Sequence, residues 1–231
     1  MASRFRNRHD AGRRLAAELR TYANRSDVIV LALPRGGVPV GYEVATALDV
    51  PLDVFVVRKL GLPWHEELAM GALARGGVRI LDDDLIRIAR VSTEDIERVT
   101  ATEQVELERR ERRYRGDRPF PDLTGKTVLL VDDGLATGST MRAAVAALRH
   151  EGPRRIVVAV PVAAPATSDA FRDIADDIVC AVTPEPFRAV GLWYEDFSQT
   201  TDQEVDQLLV QSGVPPGSRR LAGPGGTITS P

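Results

Sequence analysis

The sequence predicts an α/β fold with a doubly wound, mainly parallel central sheet, and two observations support this prediction. Continuous runs of Val, Ile and Leu without polar alternation are typical of strands covered on both faces. Segments with helical periodicity separate several of these runs, and such alternation is the pattern of a parallel sheet flanked by helices. The apolar runs occupy residues 28–33, 52–57, 128–131 and 156–160, and the helical segments occupy residues 38–48, 140–151 and 166–176.

The first element is predicted as an amphipathic helix over residues 10–22. Leu15, Leu19 and Tyr22 fall on one face at helical spacing, and Asp10 is the expected N-cap. We expect this apolar face to pack on the sheet.

Residues 82–116 depart from the alternating pattern and are predicted as an inserted helical arm. The segment is highly charged, and its expected core contacts are Ile96, Val99, Val105 and Leu107. Its final turns, ELERRERRYR, interleave glutamates with arginines, which favours a solvated helix with local ion pairs over a surface for RNA or an acidic partner.

The chain divides into a folded part and a tail. Residues 213–231 are rich in glycine and proline, so we expect a flexible C-terminal tail after one domain at residues 1–212. The hydrophobic fraction of 43% and the net charge of −3 are ordinary for a globular protein and predict no general attraction to nucleic acid or membranes.

The number of cysteines and the length of the apolar runs indicate the cellular compartment. The single cysteine, Cys180, lies in a predicted buried strand and is expected to be inert packing. No secretory signal follows the basic start, and no apolar run approaches the ~20 residues that span a bilayer. We therefore expect a cytoplasmic protein.

The most informative stretch is VLLVDDGLATGST, residues 128–140. An apolar run ends in Asp132 and Asp133, and a loop of glycine, alanine and hydroxyl residues then opens into a predicted helix. Such a loop binds phosphate, because backbone amides and the positive end of the helix dipole face the ligand. Two carboxylates beside it need hydroxyl donors or a metal on the same ligand. The hydroxyls of a ribose 5-phosphate meet this need.

Other interpretations of this loop fit less well. A Walker A loop has the pattern G-x-x-x-x-G-K-[S/T], whereas three residues separate Gly134 from Gly138 and no lysine precedes Ser139. A dinucleotide-binding G-x-G-x-x-G is also absent after a strand. A purely structural turn explains Gly134 and Ser139 but gives no reason for adjacent carboxylates.

This stretch resembles the 5-phosphoribosyl-1-diphosphate (PRPP) signature of type I phosphoribosyltransferases. The resemblance implies a Rossmann-like fold with a small hood, and it implies that Asp132 and Asp133 hold the ribose hydroxyls. It assigns the 5-phosphate to Ala136, Thr137, Gly138, Ser139 and Thr140.

A second anion site is expected in LPRGGVPVG, residues 33–41. Arg35, Gly36 and Gly37 follow the first predicted strand, where small-residue amides form a concavity and the guanidinium adds a bidentate donor. Taken alone, R-G-G is typical of a plain turn. This stretch looks like the family's diphosphate loop, which often carries a strained or cis peptide.

Cationic residues and a lid are expected after the second strand. The resemblance implies that Arg58 and Lys59, which close that strand, contact the diphosphate. Residues 61–77 are glycine-rich, lack clear periodicity and match in location the family's mobile loop, with His65 and Glu67 as its most reactive members. Such a lid would exclude water from a reactive sugar cation.

The acceptor site is expected in a hood at about residues 183–200. The stretch PEPFRAVGLWYEDFSQ resembles the base-contacting segment of purine members, with Phe187, Val190, Trp193 and Glu195 as candidates. An alternative is that Trp193 fills the core.

The resemblance implies transfer of the 5-phosphoribosyl group from PRPP to a nitrogen acceptor, a pentosyl transfer of nucleotide metabolism. Asp132, Asp133, Arg35 and Lys59 are the predicted catalytic residues, with Arg58 as a further cation. Mg²⁺ is the expected cofactor, held through PRPP and through water by the two aspartates. The expected partners are PRPP and a nucleobase-like acceptor, without nucleic acid or membrane, and the family commonly forms homodimers.

The acceptor stays open. Members acting on 6-oxopurines usually carry aspartate at the position of Ala136, whereas adenine and orotate members have alanine but lack the insertion. The chain most resembles bacterial phosphoribosyltransferases of undefined acceptor. The rival hypothesis is a catalytically silent PRPP-binding regulator, for which the arginines of residues 109–115 are the candidate RNA-facing surface. A third possibility is hydrolysis or phosphate-ester chemistry in the same pocket.

Overall fold

The computed structural model describes residues 4–213 and confirms an α/β fold with a parallel central sheet. The predicted tail lies, apart from Gly213, outside the described residues. Five parallel strands form the sheet, namely β1 (Val28–Ala32), β2 (Leu52–Val54), β6 (Thr127–Val131), β7 (Arg155–Val162) and β8 (Asp177–Val182). Their order across the sheet is β2-β1-β6-β7-β8.

The centre of the sheet carries most of the core. Every residue of β1 and β6 is buried, which explains their unbroken apolar sequences, and Ala32 pairs with Val131 at their carboxyl ends. The prediction that Cys180 lies in a buried strand is wrong in its burial. All six residues of β8 are half-buried, because β8 is the last strand of its sheet and pairs with β7 alone.

The helices lie where periodicity indicated, with different ends. Seven α-helices are described: α1 (Arg8–Glu18), α2 (Gly37–Leu48), α3 (Asp83–Ala89), α4 (Thr93–Tyr114), α5 (Ser139–Arg149), α6 (Pro165–Phe171) and α7 (Asp202–Gln211). Asp10 is not the N-cap of α1. The Asn7 side chain accepts a hydrogen bond from the Asp10 amide, while the buried Asp10 carboxylate pairs with Arg6 and Arg14.

A second sheet departs from the prediction. The apolar run 52–57 divides, and its end starts an antiparallel sheet of β3 (Val57–Leu62), β4 (His65–Ala74) and β5 (Arg79–Leu81). Arg58 and Lys59 therefore lie within β3 instead of closing a central strand. Residues 61–77, predicted as a loop, are mostly strand, and their alternation is obscured by register shifts around Gly61.

The insertion packs on the second sheet. Ile96 and Leu107 of α4 are buried and Val99 is half-buried, as predicted. Val105 is 70% exposed, so the prediction that it contacts the core is wrong. Tyr114 is buried in the core instead, although it lies in a highly charged part of the sequence. Helix α4 therefore contributes to the fold's core. Three half-buried residues of α3 pack against that core, namely Leu85, Ile86 and Ala89.

Ion pairs fix the end of α4. Arg115 and Asp53 are both buried, with Arg115 Nη1 lying 2.9 Å from Asp53 Oδ2. Arg109 and Arg110 pair locally with Glu106, which confirms the local ion pairs predicted for this run. A further arginine, Arg113, reaches Asp202 and Asp206 of α7. These arginines are thus engaged with acids of the same chain.

Candidate active site

The carboxyl edge of the parallel sheet opens into a cleft of about 530 Å³. Pro34 follows β1, and Asp132 and Thr140 follow β6, so one wall comes from the strand ends where α/β sheets bind ligands. The second sheet adds another wall, which includes Lys59 of β3. Helix α4 contributes a third.

The predicted phosphate loop has the geometry of an anion site. Gly138 is the N-cap of α5 with φ of +76°, and a Cβ there would lie 2.6 Å from Phe171 Cε2. Glycine is therefore required for both conformation and space. The Thr137 and Ser139 hydroxyl oxygens lie 3.3 Å apart. Since the first amides of a helix have no intrahelical partner, the start of α5 offers donors beside these hydroxyls.

Backbone hydrogen bonds hold the loop against its neighbouring strand. The Leu135 amide donates to the Val162 carbonyl at 2.8 Å, and the Ala164 amide donates to the Leu135 carbonyl at 3.0 Å. The Thr167 hydroxyl donates to the Ala136 carbonyl at 2.6 Å. The loop is thus fixed to the end of β7 and the start of α6 before any ligand binds.

The two acidic residues, Asp132 and Asp133, lie against the glycine loop. This loop comprises Arg35, Gly36 and Gly37. A Cβ on Gly36 would lie 2.1 Å from Asp133 Oδ2, and a Cβ on Gly37 would lie 2.7 Å from the Val131 carbonyl oxygen. The structure therefore brings together the acidic pair and the glycines that sequence reasoning assigned to separate parts of one ligand. The peptide bond between Pro34 and Arg35 is cis.

The electrostatics of the acidic pair follow from burial. Burial, and then the neighbouring carboxylate of Asp133, raise the pKa of Asp132 well above its usual range. Burial also raises the pKa of Asp133, although the guanidinium of Arg8 opposes that shift. A ligand that donates hydrogen bonds or brings positive charge would stabilise this pair.

Arg8 was missed by sequence reasoning. Its Nε donates to Asp133 Oδ2 at 2.8 Å, its Nη1 donates to the Ser198 carbonyl at 2.6 Å, and its guanidinium lies 4.0 Å from the centre of the Phe197 ring. The Tyr194 hydroxyl donates to the Asp133 carbonyl oxygen. No local sequence signal marks Arg8, because its partner Asp133 lies 125 positions away in the chain.

The predicted acceptor residues form a small apolar cluster in the hood. Phe187, Val190 and Trp193 are half-buried and pack near Phe5 and Tyr194, with Val190–Trp193 forming a 3₁₀ turn. These three residues do not line the cleft. The neighbouring candidate Glu195 is exposed, and its amide bonds the Phe5 carbonyl.

The predicted cations have different surroundings. Lys59 and Arg58 line the cleft, and Arg58 Nε lies 2.5 Å from Glu103 Oε2. Arg35 Nη1 instead lies 3.7 Å from Asp202 Oδ1 of α7 and does not line the cleft.

The predicted lid residues and Cys180 all lie in strands. His65 is exposed at the start of β4, and Glu67 lies in the same strand. Burial raises the pKa of Cys180 to about 11, so this thiol is protonated at neutral pH. Across residues 4–213, no group of three or more His, Cys, Asp or Glu side chains could hold a metal ion. None of the α-helices in these residues combines the length and the apolar sequence that a membrane-spanning helix requires.

Known proteins share this architecture. A family model described as "Phosphoribosyl transferase domain" matches residues 4–61 and 61–191. A Mycobacterium tuberculosis protein named "Putative phosphoribosyl transferase Rv0571c" is 46% identical over 205 residues, which are 89% of this chain and 46% of that protein. The chain thus spans about half the length of the curated relatives it matches.

Two Thermus thermophilus proteins extend the comparison. The crystal structure of the protein TT1426 is 41% identical with a TM-score of 0.79, covering 90% of this chain and 98% of that one. A shorter similarity, 62% identity over 45 residues, relates 19% of this chain to 24% of "Bifunctional protein PyrR".

Proposed function

The chain belongs to the phosphoribosyl transferase domain family, and from this premise we propose that it transfers the 5-phosphoribosyl group of PRPP to a nitrogen acceptor. One observation carries the proposal. The acidic pair lies against the glycine loop, with a would-be Cβ of Gly36 only 2.1 Å from Asp133 Oδ2, and the phosphate loop follows directly in the chain. Diol, diphosphate and 5-phosphate of one molecule can thus be bound at one edge.

Each part of PRPP has its own group of residues in this proposal. The amides and hydroxyls of Ala136, Thr137, Gly138, Ser139 and Thr140 bind the 5-phosphate. Asp132 and Asp133 accept hydrogen bonds from the ribose hydroxyls. The backbone of Gly36 and Gly37, with Arg58 and Lys59, binds the diphosphate. Arg35 can join them only by leaving Asp202.

The proposed reaction breaks the bond between C1 and the diphosphate oxygen and forms a bond from the acceptor nitrogen to C1. The electron pair of the broken bond leaves with diphosphate, and the acceptor nitrogen loses its proton to solvent or to a neighbouring base. Cations placed before bond breaking stabilise the leaving charge, and the acidic pair stabilises positive charge on the ribose ring. These electrostatic effects carry the rate, without a protein nucleophile.

Mg²⁺ fits the residues present. Mg²⁺ is usually bound through one or two carboxylates, substrate phosphates and water, so Asp132 and Asp133 together with PRPP would suffice. When bound, the ion would neutralise charge on the diphosphate. The residues of the chain would meanwhile orient the sugar, and the hairpin of β3 and β4 would limit the access of water.

The acceptor in this proposal is a nucleobase-like nitrogen heterocycle. The half-buried Phe187, Val190 and Trp193 offer apolar surface in the hood, and Val190 lies directly against Gly134 at the start of the phosphate loop. Alanine at position 136 disfavours 6-oxopurines.

The test is acceptor-dependent release of diphosphate from PRPP with Mg²⁺ across a panel of nucleobases. We expect turnover with at least one base, and Asp133→Asn should lower it by about 10²–10³-fold while leaving the fold intact. Asp84→Asn is the matched control, because Asp84 is an exposed carboxylate paired with Arg87 on α3. Saturable PRPP binding without turnover would instead support the regulatory alternative, and loss of PRPP without acceptor would indicate hydrolysis.

A further inference from the structure

Helix α4 forms a wall of the active-site cleft instead of projecting as an arm. Arg98, Thr102, Glu103 and Arg110 of this helix line the same cleft as Lys59. The insertion thus places charged side chains where the proposed function requires a highly charged leaving group to bind.

Glu103 forms an ion pair with Arg58, one of the cations that the proposed reaction needs to bind diphosphate. Arg58 Nε lies 2.5 Å from Glu103 Oε2, and the two side chains are only 27% and 22% exposed. A guanidinium binds carboxylate and phosphate oxygens with the same geometry. Glu103 therefore holds Arg58 in the way that a diphosphate oxygen would.

Arg110 and its neighbour Arg109 form a matched pair on α4. Both donate to Glu106 at 2.7 Å, so both are oriented by the same carboxylate. The side chain of Arg110 is 21% exposed and lines the cleft, whereas that of Arg109 is 51% exposed and does not line it. The two arginines differ in which one reaches the cleft, and Arg109 Nη1 additionally lies 3.7 Å from Asp202 Oδ2, outside the cleft lining.

We propose that α4 is part of the diphosphate site, with Arg110 as an additional diphosphate ligand and Glu103 as a counter-ion that diphosphate displaces from Arg58. This inference rests on the proposed function and deepens it. A ligand can bind Arg58 only by displacing the carboxylate of Glu103. A highly charged diphosphate can do this more readily than a less charged ligand. The wall thereby selects PRPP over ribose 5-phosphate.

The experiment measures binding of inorganic diphosphate with Mg²⁺ to the full chain by calorimetry. We expect Arg110→Gln to weaken binding roughly tenfold or more, since it removes a charged hydrogen bond donor. We expect Arg109→Gln to bind as the wild type does. Glu103→Gln should bind diphosphate several-fold more tightly, because it removes the competing negative charge.

Opposite results overturn the inference. If Glu103→Gln binds diphosphate more weakly, Glu103 is a residue that positions Arg58. If Arg109→Gln and Arg110→Gln weaken binding equally, the arginines of α4 contribute only their general positive charge and no specific ligand. Should Arg110→Gln fail to fold, Arg110→Met keeps the apolar stem in place and carries the same expectation. The variants are compared after thermal unfolding has confirmed their fold.

Failure of this inference is distinguishable from failure of the proposed function. If the wild type turns over PRPP but the α4 variants bind diphosphate unchanged, only the role of α4 is wrong. If the wild type binds neither PRPP nor diphosphate, both proposals are wrong.

Discussion

The phosphate loop and the α4 wall face the same cleft but are held in different ways. The loop comes from contiguous residues and is fixed by backbone hydrogen bonds, such as that from the Leu135 amide to the Val162 carbonyl at 2.8 Å. The wall depends on side-chain pairs between distant positions, including Arg58 with Glu103 and Asp53 with Arg115.

The contrast shows which part of a site can be predicted from local sequence. A loop built from backbone amides needs particular small residues at fixed spacing, so its chemistry is visible in a short motif. A wall built from ionic side chains needs only charge of the right sign at positions that folding brings together. The two regions should therefore respond differently to substitution.

The largest effect is expected from breaking the anchor of the wall. Asp53 is 6% exposed and Arg115 is 7% exposed, and Arg115 Nη2 also donates to the Val54 carbonyl at 2.8 Å. Replacing Asp53 by Ala leaves a buried guanidinium without its carboxylate, and we expect the free energy of unfolding to fall by about 3–5 kcal/mol. Chemical denaturation measures this change, and a loss below about 1 kcal/mol would contradict it.

The next effect concerns the phosphate loop. Gly138 and Gly152 have similar positive φ values of +76° and +70°, but a Cβ on Gly152 would meet nothing within 4 Å. Both Ala variants carry the backbone strain, while Gly138→Ala also overpacks Phe171. We expect Gly138→Ala to cost about 1–3 kcal/mol more than Gly152→Ala in thermal unfolding, and to weaken ribose 5-phosphate binding. Equal stability of the two variants would mean that the Phe171 side chain moves away from the added methyl group without a loss of stability.

A smaller effect of opposite sign is expected at Asp132. Its folded pKa lies above the unfolded value, so the native state holds a proton that the unfolded chain releases. The free energy of unfolding therefore falls as pH rises from about 4 through the folded pKa. Asp132→Asn does not lose stability in this way, so it should be more stable than the wild type at neutral pH, by an amount on the order of 1 kcal/mol, although it binds PRPP less well.

Denaturation of both proteins across pH measures this difference. The advantage of Asp132→Asn should grow with pH across that window and vanish below it. A variant less stable than the wild type at neutral pH would show that the carboxylate of Asp132 contributes to the fold.

The smallest effect is expected on the outer face of the wall. Val105 is 70% exposed on α4, so Val105→Ala should change the free energy of unfolding by no more than about 0.5 kcal/mol. It should also leave diphosphate binding unchanged, in contrast to Arg110→Gln. A loss of more than about 2 kcal/mol, measured by denaturation, would mean that this face is covered in solution.

Much of the architecture was predictable because its signals are local. The parallel sheet follows from unbroken apolar runs. Asp132, Asp133 and the glycines were each predicted at a strand end, and the resemblance to the PRPP signature assigned them to one ligand. The second sheet was not predictable, because the run 52–57 is continuous in sequence while the backbone leaves the central sheet after Val54.

The missed site residues share a physical cause. Arg8 meets Asp133 across 125 positions, and Glu103 meets Arg58 across 45. Neither arginine nor glutamate carries a local pattern that predicts its partner, since both are ordinary surface residues in most helices. Only the packing of α1 and α4 against strand ends assigns them to the site.

The carboxylate of Asp202 on α7 links that helix to two other parts of the molecule, because groups from both of them contact it. It accepts a hydrogen bond from the Tyr114 hydroxyl and lies within 3.7 Å of Arg35, Arg109 and Arg113. Because the four groups share one partner, the free-energy changes caused by substituting them will not add. Single substitutions would therefore count the interaction with Asp202 more than once. Only double-mutant cycles built on Asp202→Asn can apportion the coupling among the glycine loop, the insertion and the C-terminal helix.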